Sequence, residues 1–267
     1  MGAVTTRVSS FGRVNTTFYS LLKFLNEKDG ENLEVCDFGC LDGLHTIPFL
    51  KKGYLVDAFD MNEIYLYGGH IQMPIIYEDG QVVLQRKTMY GAEDRINIEG
   101  LHDRVRLYNK SIFECCNRQY DVVYSKRGLS RKEYSHIPIK RKIEKLKNLV
   151  KDDGIMYLEY LMWLDDKNTD NLNPNQYLKQ CEMETYFREG WEILSLVEDR
   201  NCIVEDPYIG NPTFHKHRVG MIKVRKEKNY KKEAEKSIEE MLDKESLKQS
   251  LEEDVGDMFT VGKVLKF

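Results

Sequence analysis

The chain has 267 residues, of which 40 are lysine or arginine and 44 are aspartate or glutamate, for a net charge of −4. An apolar share of 41% and a charged share of 31% describe a globular chain and exclude disordered and fibrous classes. No run approaches the ~18 apolar residues of a membrane helix, and the first residues lack the apolar stretch of a secretory leader. No membrane contact and a cytoplasmic address are therefore expected, and the slightly acidic balance argues against nucleic acid as the partner.

In chain order, residues 11–26 carry Phe18, Leu21, Leu22 and Leu25 on one helical face. A short apolar run, 33–38, reads as the first strand and ends at Gly39; a helix through Leu44, Ile47, Phe49 and Leu50 follows and closes at Gly53. The second strand is 54–59. Residues 64–90 break the alternation: two β-rich runs flank Glu78-Asp79-Gly80, and Asp-Gly between apolar runs signals a hairpin. A helix near 88–100 and strands at 104–108, 121–125 and 154–160 come next. Between the last two lies a helix with Ile139, Ile143, Leu146 and Val150 on one face, ended by a turn at 151–154. Strands at 191–197 and 217–225 close the body, and with no room for a helix between them they should be antiparallel.

Strands alternating with helices imply a parallel sheet covered on both faces. The expected architecture is one α/β domain over 1–226, with an insertion at about 64–90, followed by a charged helical extension over 227–267. That extension has 11 acidic and 8 basic residues and apolar spacing at Ala234, Ile238, Met241 and Leu242. The hairpin's apolar side chains exceed what two strands can hide. The N-terminal helix, the tail or a second subunit should cover them, so a homodimer built on the insertion or the tail is one expected assembly.

Six cysteines, Cys36, Cys40, Cys115, Cys116, Cys181 and Cys202, include no Cys-x-x-Cys, so no metal or iron–sulfur site is expected. The chemistry concentrates in Asp37-Phe38-Gly39-Cys40-Leu41-Asp42-Gly43, between a strand and a helix. In an open parallel sheet, ligands bind beyond the carboxyl ends of the strands. This is not the dinucleotide pattern Gly-x-Gly-x-x-Gly. An acidic residue inside the turn repels a pyrophosphate and suits an amino group or a cationic sulfur. Asp60, ending the second strand, can accept both hydroxyls of a ribose. Together these favour S-adenosylmethionine over NAD.

The run VCDFGCLDGLHTIPFLKKGYLVDAFDMN resembles the first two motifs of the class I S-adenosylmethionine-dependent methyltransferases, and most of all the tellurite-resistance methyltransferase subgroup. KSIFECCNRQYDVVYS, KNLVKDDGIMYLEYL and the later EMETYFREGWEILSLVED with His215-Lys216-His217 are similar to further pieces of that subgroup, over roughly residues 33–226. The resemblance implies a seven-stranded Rossmann-like sheet of order 3-2-1-4-5-7-6 with one antiparallel strand. It implies S-adenosyl-L-methionine as cofactor and S-adenosyl-L-homocysteine as product. Asp37, Gly39, Cys40, Leu41 and Gly43 would line the methionine end. Asp60 would hold the ribose, Met61, Ser111 and Ile112 would contact the adenine, and Tyr124 and Ser125 would lie near the methyl group. The family often has glycine where this chain has Leu41, and aspartate where it has Ser111.

For the acceptor, His215 and His217 are candidate bases, since histidine titrates near neutrality and both side chains of an alternating strand point to one face. Lys126 and Arg127 follow the fourth strand at the rim and suit a carboxylate or phosphate. Where adenine- and glutamine-methylating enzymes carry Asn/Asp-Pro-Pro-Tyr, this chain reads YSKRG, so a small or medium-sized, perhaps anionic, metabolite is the expected acceptor. The alternative is a catalytically degenerate cofactor-binding or assembly protein on the same fold.

Overall fold

The computed structural model describes residues 9–29, 32–115, 117–163, 173–198, 203–205 and 215–228. The chain forms two compact units, Met1–Lys226 and Glu227–Phe267. The helical extension expected beyond 228, and Cys116 and Cys202, lie outside the described residues.

The first unit opens with α1 (Thr16–Asp29). It starts later than the apolar spacing suggested, because Gly12 has φ 92° and the Asn15 side chain accepts the Phe18 N–H at 2.9 Å, capping the helix. Then come β1 (Glu34–Phe38), α2 (Thr46–Lys51), β2 (Leu55–Phe59) and α3 (Glu63–Tyr67). The hairpin follows as β3 (Gly69–Ile76) and β4 (Val82–Met89), turning at Gly80 with φ 81°. Next are α4 (Ala92–Ile98), β5 (Val105–Tyr108), one-turn α5 (Ile112–Cys115), β6 (Tyr120–Lys126), α6 (Ile139–Asn148) and β7 (Val150–Met162). The body ends with β8 (Tyr177–Leu178), α7 (Glu182–Thr185), β9 (Trp191–Glu198), β10 (Ile203–Glu205) and β11 (His215–Lys226).

β5, β2, β1, β6 and β7 are parallel neighbours; β11 pairs antiparallel with β7, and β9 antiparallel with β11. The principal strands therefore run in the order 3-2-1-4-5-7-6, with the one antiparallel strand where it was expected. β8 and β10 add short edge pairings, and β3–β4 is a separate two-stranded sheet. β7 begins earlier than the sequence implied. Its pairing with β6 jumps from Tyr120–Val150 to Val122–Ile155, so residues 151–154 bulge out of register, with Asp153 at φ 65°. A turn signal was thus spent on a bulge inside a strand.

Alternation along the central strands sorts side chains onto two faces. Val35, Val56, Val122, Tyr124, Ile155 and Tyr157 pack with Phe18, Leu21 and Leu25 of α1 and with Phe49 of α2. Cys36, Phe38, Val123, Met156, Leu158 and Tyr160 pack with Ile139, Ile143 and Leu146 of α6. Gly220 of β11 is the seat of the Tyr160 ring: a Cβ there would stand 2.3 Å from it. At the hairpin root, Tyr65, Ile71 and Met89 are buried against Phe11, Leu41 and Met73. Toward the tip, Ile76, Tyr77, Val83 and Leu84 are exposed, so the N-terminal segment covers only the base of the insertion. No described helix is long and apolar enough to cross a membrane.

Candidate functional site

From β1 the chain runs outward to β2 and β5 on one side, while β6 and β7 lie on the other. The strand order therefore reverses between β1 and β6, and a crevice belongs at their carboxyl ends. There Phe38 pairs with Ser125, whose hydroxyl donates to the Phe38 carbonyl at 2.9 Å and accepts the Gly128 N–H at 3.2 Å. The turn after β1 is held from the other side: Gly39 and Cys40 N–H both donate to the Phe59 carbonyl, at 2.9 and 3.1 Å. Gly39 has φ 79°, and a Cβ on it would meet the Gly128 backbone at 3.5 Å and the Arg131 side chain at 3.8 Å. The Leu41 position keeps the left-handed backbone a glycine would favour, φ 54°. Gly43, at φ 77°, lies against Ala92 of α4.

Asp37 is buried on the α1–α2 face, opposite Tyr124 in register, and accepts the Thr46 hydroxyl at 2.6 Å. Burial lifts its pKa to about 7; the Thr46 bond pulls it down and the negative charge of Asp60 pushes it up. Burial and the neighbouring Asp60 and Asp37 charges also push the Cys40 thiol far up, so Cys40 is a packed, neutral thiol. Asp60, 2% exposed, accepts the Leu41 and Asn62 N–H groups at 3.0 and 2.9 Å, which aims its carboxylate at the turn. A third bond comes from Arg131, whose Nη1 donates to Asp60 Oδ2 at 2.8 Å. Met61 beside it is 42% exposed and offers an apolar edge to a ligand. Ser111 is buried and bonded to the Tyr134 hydroxyl, while Ile112 lies wholly inside the core.

The structure thus brings Asp37, Gly39, Cys40, Leu41, Gly43, Asp60, Met61, Ser111 and Ser125 to one edge of the sheet. It gives other residues different settings. Tyr124 is buried among Phe18, His45, Phe49 and Tyr157, and burial holds its hydroxyl protonated. Arg127, at φ 60°, turns back: its N–H donates to the Glu159 carbonyl at 2.8 Å and its Nε to the Glu159 carboxylate at 2.9 Å. Lys126 pairs with Glu159 in register. This rim is therefore locally neutral and not a bare cationic clamp. Arg218 pairs with Met162, so His217 sits at the same sheet edge but three strands from β1, about 14 Å at ordinary strand spacing. His217 is buried; the side chain of His215 lies outside the described residues.

Two features went unread in the sequence. Asp42, the acid inside the turn, does not face a ligand: it accepts Ser9 Oγ and the Ser10 N–H, both at 2.7 Å, and pairs with Arg95 at 2.9 Å. The charge argument for a cationic ligand therefore rests on Asp37 and Asp60. Arg131 was the second: it stood in a basic run with nothing local to set it apart from solvated charges. Among the described residues no group of three or more histidine, cysteine, aspartate or glutamate side chains could hold a metal.

This sheet order, with its glycine turn at the switch point and an acid ending the next strand, is the fold of class I S-adenosylmethionine-dependent methyltransferases. Solved structures carry the same fold. TehB from Haemophilus influenzae superposes with a TM-score of 0.55 at 17% identity, over 80% of this chain and 63% of that one, so this chain spans less than two thirds of TehB. Magnesium protoporphyrin IX methyltransferase from Synechocystis, with bound S-adenosylhomocysteine, gives 0.50 at 16% identity, over 80% and 89% of the two chains. The [4+2]-cyclase SpnF gives 0.51 at 12% identity, over 78% and 80%. A scan of protein-family models finds no match, and neither does a search of curated proteins.

Proposed function

We propose that the chain is an S-adenosylmethionine-dependent methyltransferase acting on a small or medium-sized metabolite. The observation that carries this reading is the placing of two buried carboxylates, Asp37 and Asp60, at the ends of adjacent parallel strands around Gly39. Asp37 suits the ammonium end of the cofactor, acting through the turn backbone or a water. Asp60, fixed by two backbone N–H groups, suits the ribose diol, and the flat approach over Gly39 joins them. Met61 would pack on the adenine and Ser111 would reach its edge. When bound, S-adenosylmethionine supplies an activated methyl group on a sulfonium, so this chain's own contribution is to orient, to exclude water and to accept a proton where the acceptor has one. Phe18 and Tyr124 supply an apolar, water-poor wall beside Asp37. His217 is the nearest titratable candidate for the proton on β11. TehB and the porphyrin enzyme support methyl transfer on this fold, whereas the cyclase cautions that the fold alone does not choose the reaction.

A second reading, a degenerate cofactor-binding or assembly protein, draws on Leu41 at a glycine position and on the Arg131–Asp60 ion pair. Transfer of label separates the two. The protein incubated with methyl-labelled S-adenosylmethionine and a small-molecule cell extract should leave label in a small-molecule product. Label in protein or nucleic acid would overturn the metabolite reading; bound cofactor with no transferred label would favour the second.

A further inference from the structure

We infer that Arg131 occupies the ribose-binding acid of the empty site, so that cofactor binding is an exchange of partners on Asp60. This rests on the cofactor reading above. Arg131 Nη1 donates to Asp60 Oδ2 at 2.8 Å, and the side chain passes within 3.8 Å of the point where a Gly39 Cβ would stand. The guanidinium therefore lies along the line from the glycine turn to Asp60 that the ligand would follow. A carboxylate that already takes two N–H bonds and a guanidinium cannot also receive a diol in good geometry.

The backbone around Arg131 is pinned. Ser130 Oγ accepts the Leu161 N–H at 3.1 Å, Gln176 Nε2 donates to the Ser130 carbonyl at 2.9 Å, and Lys142 Nζ donates to the Leu129 carbonyl at 2.7 Å. Gly128 is pressed so closely against Phe38 and Ser125 that a Cβ would fall 2.4 Å from the Ser125 hydroxyl. A swinging loop would break all of these bonds. A side-chain rotation breaks one.

The second resting place is already in contact. Arg131 Nη2 donates to Glu133 Oε1 at 3.1 Å, and the guanidinium stands 5.8 Å from the Tyr65 ring centre. Glu133 is 38% exposed and Asp60 is fully buried. Turning outward leaves the arginine paired with Glu133 and surrenders Asp60 to the ribose hydroxyls. Because the charged pair at Asp60 must be given up first, the apparent affinity is reduced by the fraction of molecules in which it is closed.

The test is calorimetry of S-adenosylhomocysteine and of adenosine with wild type, Arg131→Gln and Arg131→Ala, each variant first checked for a cooperative thermal transition. The inference expects both ligands to bind the variants at least about fivefold more tightly, the scale of a surrendered charged hydrogen bond, and expects 2′,3′-dideoxyadenosine to gain nothing. Looser binding of S-adenosylhomocysteine with adenosine unchanged would overturn it and make Arg131 a contact to the methionine carboxylate. Equal affinity for all three proteins would overturn it as well. If neither wild type nor variant binds any of these ligands, the cofactor reading itself fails, an outcome distinct from both. Binding seen only in the variants supports the inference in its strongest form.

Discussion

Arg95→Met is expected to destabilise the chain by about 3–5 kcal/mol, the penalty for stripping one partner from a buried ion pair. Arg95 is 6% exposed and Asp42 wholly buried, with 2.9 Å between them. Burial pushes the Asp42 pKa up and the Arg95 pKa down, so each charge is tolerated mainly because the other is present. The arginine also donates to the Asp42 carbonyl, and Asp42 gathers Ser9 and Ser10. One side chain of α4 thereby ties the glycine turn to the N-terminal segment that lies over it. Asp42→Ala should cost a similar amount, whereas the double variant should lose far less than the sum, because neither charge is then left stranded. Urea unfolding reads all three, and strict additivity would show that the two side chains act independently.

The second large effect is on pH. Asp37, with its pKa near 7, is half protonated in the empty site at neutrality. A ligand ammonium favours the ionised form, so binding should expel a proton and affinity should rise as pH climbs through 7. Between about pH 5.5 and 7.5, below the range where an α-amino group loses its charge, S-adenosylhomocysteine should bind roughly twentyfold more tightly at the upper end. Asp37→Asn should bind more weakly at pH 7.5 and lose the slope. Stability runs the other way. A carboxyl whose folded-state pKa is raised contributes stability that is complete below its ordinary value of 3.8 and is lost as pH rises through about 7. The asparagine variant should therefore gain thermal stability relative to wild type at pH 8 and show no such gain at pH 4. A pH-independent wild-type affinity would mean that Asp37 does not sense the ligand.

The parts legible in the sequence are those that local pattern encodes. The Val35–Phe38 run, the glycine turn and Asp60 lie within 30 residues of one another, so the strand–turn–strand unit and its acid could be read together. Asp79-Gly80 placed the hairpin turn, and the spacing of Ile139, Ile143 and Leu146 gave the buried face of α6. What escaped depends on partners far away in the chain. Arg131 meets Asp60 across 71 residues, and Asp42 meets Arg95 across 53. No periodicity marks such a pair, because any arginine in a basic run looks solvated until the fold brings a carboxylate to it. His45 shows the same limit. It reads as an ordinary helix residue, yet it is packed between Phe18 and Tyr124, and burial, with Lys126 nearby, pulls its pKa down to about 3, leaving it neutral. The bulge at 151–154 was misread for a milder reason: Asp-Gly marks a left-handed position, but not whether a turn or a strand irregularity uses it.

The central claim is that the edge formed by Asp37, Gly39 and Asp60 holds an adenosyl sulfur ligand and not a dinucleotide. The most direct measurement is parallel calorimetric titration of S-adenosylhomocysteine and NAD into wild type and Arg131→Gln at pH 7.5. The account predicts saturable, one-to-one binding of S-adenosylhomocysteine that Asp60→Ala weakens by about 1.5–3 kcal/mol in the Arg131→Gln background, where no arginine competes, and no saturable heat with NAD. Saturable NAD binding with no response to the sulfur ligand would contradict it.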